Sequence, residues 1–299
     1  MTLIETEETR QFTFEPFAAH GFYTQVNRSL VQQALVLFAT RPLSSTLTIV
    51  DMACGTGAVT RLIAEELIRQ GRSAHIIGVD PSSEALRIAS RSMEEIGAKA
   101  DFIQGDTTDL FNIVQGADAV FFCNAIHLVS DKLSAFQQMS SILVPGGVFA
   151  CNSTFYDGAY VEGSDRFYRL WIRRAVGWLR KEYPEVRLTR QEKAQAMQWL
   201  NDEGYMSLLK ESDFKHVVTK QEQVYMTMDS YRDIGQYWLF IEGALPGVPL
   251  ALGAAALGAS AYQTGQELGL TEVPRNWLQI IATKAAALPH FDIGGESFP

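Results

Sequence analysis

Three cysteines stand in 299 residues, Cys54, Cys123 and Cys151, and none has a neighbour at metal-ligand spacing. Each falls at the end of an apolar, strand-like run. A disulfide framework or a zinc site needs a denser set, so the three read as reduced, buried thiols and no metal is expected. Positive charge is also short: 25 Lys and Arg against 34 Asp and Glu give a net charge of −9. A phosphate backbone rewards basic surfaces, so nucleic acid is not an expected partner. No undiluted apolar run reaches the length of a membrane span. Gly243 to Gln266 carries no charge, but two prolines and many Ala and Gly thin it out, and a spanning helix needs about 20 strongly apolar residues. That stretch reads as a buried or pocket-lining helix; the alternative is a lip that touches a membrane to collect a lipid-like acceptor. The opening Met1-Thr2-Leu3-Ile4-Glu5-Thr6-Glu7-Glu8 is acidic and too short in apolar run for a secretory signal, which makes a cytoplasmic location the expectation. What remains is an ordinary globular composition, 47% hydrophobic and 20% charged, which argues against disorder. The length suits one large α/β domain with insertions, or a domain and a cap.

The stretch Leu47-Thr48-Ile49-Val50-Asp51-Met52-Ala53-Cys54-Gly55-Thr56-Gly57-Ala58 organises the chain. An apolar run ending abruptly in a glycine cluster predicts a strand and a tight turn. Leu62, Ala64, Glu65, Glu66, Leu67 and Ile68, with Gly71 as the stop, predict the helix that follows. A strand feeding a helix through Gly-x-Gly is a ligand cradle: Gly55 and Gly57 permit unusual dihedrals and a close backbone approach, and the first helical turn offers free N–H groups. A dinucleotide fingerprint would carry a third glycine where Thr60 stands, so that match fails. The run D-x-A-C-G-T-G instead resembles the first motif of the class I S-adenosylmethionine-dependent methyltransferases. The resemblance implies that the loop, with Ala53, Cys54, Gly55 and Gly57, wraps the methionyl part of the cofactor, and that Asp51 supports its amino end.

Three further strand ends carry the resemblance. His75 to Asp80 reads as a second strand, followed by Pro81-Ser82 as a helix start. A carboxylate at that end can take both hydroxyls of a ribose, which is the role the resemblance gives Asp80, with Pro81 beside it; a plain helix N-cap is the other reading. Ala100 to Gln104 ends in Gly105-Asp106-Thr107-Thr108, similar to the family's adenine-recognition turn, which would place Asp106 and Thr107 at the cofactor. A simple Asx turn would look the same. Asp118 to Asn124 resembles the family's fourth motif, whose end lies beside the reactive methyl group, which brings in Asn124 and His127. Leu143-Val144-Pro145-Gly146-Gly147 matches the family's turn into the fifth strand and is architectural.

The expected fold is therefore α/β: a Rossmann-like, doubly wound seven-stranded sheet with the last strand antiparallel, plus a helical cap. Residues 1–44 form an N-terminal helical lid, with a polar start to about 15, a helix over 23–39, and a segment from Phe17 to Arg28 similar to the lid helix of quinone-type methyltransferases; a helix merely covering the sheet is the alternative. Residues 45–156 are the cofactor core. Residues 157–205 and 229–275 are cap insertions, the first holding an amphipathic helix from Asp165 to Arg180 and a second helix over about 189–201. Residues 206–228 and 276–299 return to the core, with strands near 215–223 and 277–283.

Methyl transfer from a sulfonium is an in-line displacement that rewards positioning and exclusion of water. If the acceptor starts as a hydroxyl or an acidic carbon, a base helps. His127 is the first candidate, since an unperturbed imidazole titrates in the right range; packing against the cofactor is its other reading. Tyr23 is the second candidate, with His20, Tyr156 and Glu242 behind it. The expected cofactor is S-adenosylmethionine, leaving S-adenosylhomocysteine, with no metal. The aromatic cap points to an apolar small-molecule acceptor, aromatic or isoprenoid-like. The alternatives are a non-methylating enzyme on the same cofactor, of cyclase or decarboxylase type, and a membrane-associated binding protein.

Overall fold

A computed structural model describes residues 11–189 and 199–285. The ten terminal residues expected to be frayed, most of the helix expected over 189–201, and the tail after Ala285 lie outside them. Thr189 and Trp199 to Asn201, the described ends of that expected helix, are not helical.

Seven strands form one sheet: β1 Leu47–Met52, β2 Ala74–Asp80, β3 Asp101–Gln104, β4 Ala117–Cys123, β5 Leu143–Ser153, β6 Phe214–Thr227 and β7 Glu272–Lys284. The order is β3-β2-β1-β4-β5-β7-β6. β1 to β5 pair in parallel, and β7 runs antiparallel to both β5 and β6. The winding reverses between β1 and β4, which opens a crevice at their carboxyl ends. β6 and β7 both exceed the lengths read from sequence; β7 begins at Glu272, four residues before the position at which the core was expected to resume.

Helices α1 Glu15–Ala18, α2 Gly21–Leu35, α3 Ala58–Gln70 and α4 Ser83–Glu95 precede a short α5, Leu110–Ile113, and α6 Lys132–Ile142. α2, α3 and α4 cover one face of the sheet, burying Leu30, Val31, Ala34, Ile63 and Leu67 against Ile49, Ala119 and Phe121. α6 and α8 Asp202–Glu211 cover the other face, with Phe136, Met139 and Leu209 against Val120, Phe122 and Phe149. A third apolar core belongs to the insertions. There α7 Asp165–Glu182, α9 Met228–Ile234, α10 Trp238–Ala244 and α11 Leu250–Leu268 bury Phe167, Trp171, Tyr231, Ile241 and Leu257 together with Phe17 and Trp277.

The uncharged stretch is mainly α11. Its inner face, including Gly253, Ala256, Leu257 and Ala261, is buried, and Trp171 donates its indole N–H to the Leu257 carbonyl at 2.8 Å. Among the described residues no helix is long and apolar enough to cross a membrane.

Gly57 answers to packing. Its φ is 84°, and a Cβ there would lie 2.9 Å from Ala89 Cβ on α4. Replacement by alanine combines a left-handed backbone with a steric clash, and is expected to destabilise the fold by roughly 1–3 kcal/mol. A denaturant titration checks this.

Candidate active site

Two adjacent spaces lie at the carboxyl end of the sheet. The first is a cleft of about 990 Å³ along the ends of β1, β2 and β4. The second is an apolar cavity of about 140 Å³ beneath the insertions. They share His127, Leu128, Phe155, Tyr237 and Leu239, which form the wall between them.

The cleft is built by the turn after β1. Ala53 (φ 53°) and Gly55 (φ 53°) are left-handed, as is Asn124 (φ 56°) just after β4. Two non-glycine residues in this region mark backbone held under constraint at the rim. A Cβ on Gly55 would meet no atom within 4 Å, so this glycine leaves open space. The Gly55 N–H is not free: it donates to Asp80 Oδ2 at 2.8 Å. Asp80 also accepts from the Ser82 N–H at 2.9 Å. This carboxylate therefore ties the glycine loop to the end of β2 and lines the cleft as well.

Asp51 is 1% exposed. It accepts from the Thr60 hydroxyl at 2.6 Å. Burial, with the nearby Asp80 carboxylate, outweighs that bond and lifts its pKa to about 7. A cation placed beside it would bring it back down. The thiols of Cys54, Cys123 and Cys151 are free and buried, and burial raises all three well above the ordinary thiol range.

The structure gathers Asp51, Ala53, Cys54, Gly55, Asp80, Pro81, Asn124, Tyr23 and His127 around this cleft. Gly57, Asp106 and Thr107 do not line it. The Asp106 carboxylate instead closes its own turn, accepting from the Thr108 N–H at 2.7 Å and the Thr108 hydroxyl at 2.5 Å. That is the Asx-turn geometry. Gln104, at the end of β3, occupies the lining there.

Asn124 is a junction. Its side-chain amide donates to the Tyr23 hydroxyl at 3.1 Å and to Asn27 Oδ1 at 3.2 Å, and accepts from the Trp277 indole at 3.0 Å. Asn152 donates to the same Asn27 oxygen at 2.9 Å. The network fixes the start of α2 against β4, β5 and β7. The rest of α2 covers the sheet. The covering of the cleft comes from the chain just before α2: Gln11, Thr13, Phe14, Glu15 and Ala18 line it, the Phe12 carbonyl accepts from the Trp238 N–H at 3.0 Å, and His20 Nε2 meets Asp233 Oδ2 at 2.9 Å.

Both catalytic candidates need correction on their acid–base character. His127 sits in a 3₁₀ turn beyond β4 and is 5% exposed. Burial, helped by the charges of Lys132 and Arg275, lowers its pKa to about 3. It is a neutral ring near physiological pH and a poor general base, because its conjugate acid is too strong. Its ring packs against Phe155 with centroids 4.4 Å apart. Burial raises the Tyr23 hydroxyl far above its ordinary value. Tyr156 is fully buried in the core, its hydroxyl without a partner among the described residues, and Glu242 is exposed; neither lines either space.

The apolar cavity is ringed by aromatic side chains, including Phe17, Tyr160, Tyr168, Trp171, Trp199 and Phe240. One cation enters it. Arg275, 5% exposed, donates through Nε to the Thr154 hydroxyl and through Nη2 to the Thr154 carbonyl, each at 2.7 Å. Its guanidinium lies 5.1 to 6.0 Å from the ring centroids of Tyr168, Tyr160, Phe155 and Trp199. Cation–π contacts of this kind are worth about 0.5–2 kcal/mol each. Sequence reasoning missed Arg275. Its signal was a charged residue set inside a mainly apolar strand, Pro274-Arg275-Asn276-Trp277-Leu278.

With this geometry in place, comparison with known proteins gives the class. The sequence model of a family described as "Methyltransferase domain" matches residues 49–147. A probable S-adenosylmethionine-dependent methyltransferase of Saccharomyces cerevisiae, CRG1, is 37% identical over 107 residues, 34% of this chain and 34% of that protein. A 2-phytyl-1,4-naphtoquinone methyltransferase of Thermosynechococcus vestitus is 33% identical over 100 residues, 33% of this chain and 43% of that protein. The chain thus spans well under two thirds of the length of these relatives. The solved structure of the [4+2]-cyclase SpnF aligns with a TM-score of 0.55 at 16% identity, over 88% of this chain and 82% of that one, a likeness of fold. Residues 49–147 thus match a methyltransferase domain, and over about a third of its length the chain is similar to S-adenosylmethionine-dependent methyltransferases.

Proposed function

We propose that the protein moves a methyl group from S-adenosylmethionine to an apolar small-molecule acceptor held under the cap. The observation that carries this is the wall at His127: a cleft with two buried carboxylates lies on one side of it and an aromatic cavity on the other. The cleft fits the cofactor in size and in chemistry. Asp51, poised near neutrality by burial, would hold the amino end; Asp80 would take the ribose hydroxyls; the open space at Gly55 would admit the methionyl chain. Bound there, S-adenosylmethionine supplies an electrophilic methyl group on a sulfonium. The segment from Gln11 to Ala18 and the residues around Trp238 would keep water out, while His127 and Phe155 would align the acceptor as walls. An aromatic or isoprenoid-like acceptor agrees with the cavity lining, and one relative is named for a phytyl naphthoquinone. The atom methylated, whether carbon, oxygen or nitrogen, stays open.

Calorimetry with S-adenosylmethionine, then transfer of a labelled methyl group with the product's mass, tests the reading. Product without the label would assign the alternative, a non-methylating enzyme of cyclase or decarboxylase type. If His127 is a wall, the pH–rate profile has no inflection near 6.5, the ordinary histidine value; a limb there that vanishes in His127→Ala makes it a base.

A further inference from the structure

Arg275 carries more than the architecture asks of it. A buried guanidinium normally sits against a carboxylate, because a charge taken out of water is costly without an opposite partner. Among the described residues no carboxylate lies within ion-pairing distance of Arg275. Among the described residues Nε and Nη2 bond Thr154 and the Tyr168 hydroxyl also bonds the guanidinium, so its hydrogen-bond partners are neutral oxygens. Tyr168 in turn shares a 2.5 Å hydrogen bond with Tyr231. All three side chains line the apolar cavity. The rings around the cation screen it from water without neutralising it. A planar fork of donors in such a place is suited to an oxyanion.

We infer that Arg275, with Tyr168 and Tyr231 beside it, is the anchor for an anionic oxygen group on the acceptor, so that the acceptor class is a hydrophobic acid: an apolar or aromatic body bearing a carboxylate. This rests on the methyltransferase reading only in calling the occupant an acceptor. The body fills the aromatic ring of the cavity, and the anionic end supplies a counter-charge that no described residue provides. Specificity follows from the buried cation: a neutral analogue leaves it without a counter-charge, and loses more than one hydrogen bond.

The test reads binding, with the protein first saturated with S-adenosylhomocysteine. The probes are 2-naphthoate, its neutral amide 2-naphthamide, and 2-naphthyl phosphate. The wild-type protein is expected to bind 2-naphthoate about tenfold or more tightly than the amide. Arg275→Gln should erase that preference and Arg275→Lys should recover part of it, with S-adenosylhomocysteine affinity unchanged in both. A stronger preference for the phosphate keeps the anion anchor and makes the group a phosphate. Equal binding of acid and amide, a preference that survives Arg275→Gln, or no binding by any of the three probes overturns the inference. Should Arg275→Gln fail to fold, the acid–amide comparison in the wild type decides alone. Failure to bind S-adenosylhomocysteine counts against the methyltransferase reading instead, and leaves the acid–amide comparison standing.

Discussion

Asp80→Ala is expected to weaken S-adenosylmethionine binding by roughly 2–4 kcal/mol, about thirtyfold to a thousandfold. Two losses add. The first is the pair of charge-assisted hydrogen bonds to the ribose hydroxyls in the proposed complex, each worth roughly 1.5–3 kcal/mol gross. The second is internal. Without the carboxylate, the Gly55 and Ser82 N–H groups lose the acceptor at 2.8 and 2.9 Å that ties them to the end of β2, and the glycine loop loses its set position. Asp80→Asn separates the two, since its amide oxygen can still accept from the loop but its charge is gone; it should fall between wild type and Asp80→Ala. Calorimetry at fixed pH measures all three. An unchanged dissociation constant in Asp80→Ala would remove the residue from the cofactor site and leave it as a loop tether.

That double duty explains which parts of the site could be read from sequence. Asp51, Gly55 and Asp80 were legible because they sit at the ends of strands whose apolar runs are unbroken, and strand ends on a parallel sheet converge on one rim. The seven-stranded order with an antiparallel β7 is what the family resemblance implied rather than what the runs alone give. Asp106 lay on the same pattern, yet its carboxylate went to the nearest donors, on Thr108; local side-chain-to-backbone bonding competes with any ligand role and leaves no trace in spacing. Gly57 looked like a ligand-facing glycine, but Ala89 on α4, 32 positions along the chain, decides its role. His127 lies in a 3₁₀ turn just beyond the fourth strand, and its acid–base character depends on burial first and then on Lys132 and Arg275. Arg275 was invisible for the same reason. Its meaning comes from rings supplied by the turn after β5, by α7 and the segment before it, and by the segment before α8, which meet only after folding.

The affinity for S-adenosylhomocysteine is expected to rise about tenfold per pH unit on approaching pH 7 from below, then level off. The free protein holds Asp51 with a pKa of about 7, against an ordinary 3.8. In the proposed complex the ligand's ammonium needs the carboxylate, so binding below pH 7 must expel a proton, and each pH unit then costs about 1.4 kcal/mol. Well above neutrality the ligand's own α-amino group starts to lose its charge, and the plateau ends in an alkaline limb. Protein stability is a poorer readout, because two buried groups oppose each other. Asp51 is raised, so the folded state binds its proton more tightly, and its contribution to stability falls as pH rises from 3.8 to about 7. His127 is lowered from 6.5 to about 3, so the unfolded state takes up its proton first, and its contribution rises across nearly the same window. Binding escapes that cancellation because His127 stays neutral in both free and bound protein. Asp51→Asn should therefore flatten the acid limb and weaken binding at pH 7 while leaving the alkaline limb in place. A limb that persists in Asp51→Asn would move the titration to another group and take Asp51 away from the amino end of the cofactor.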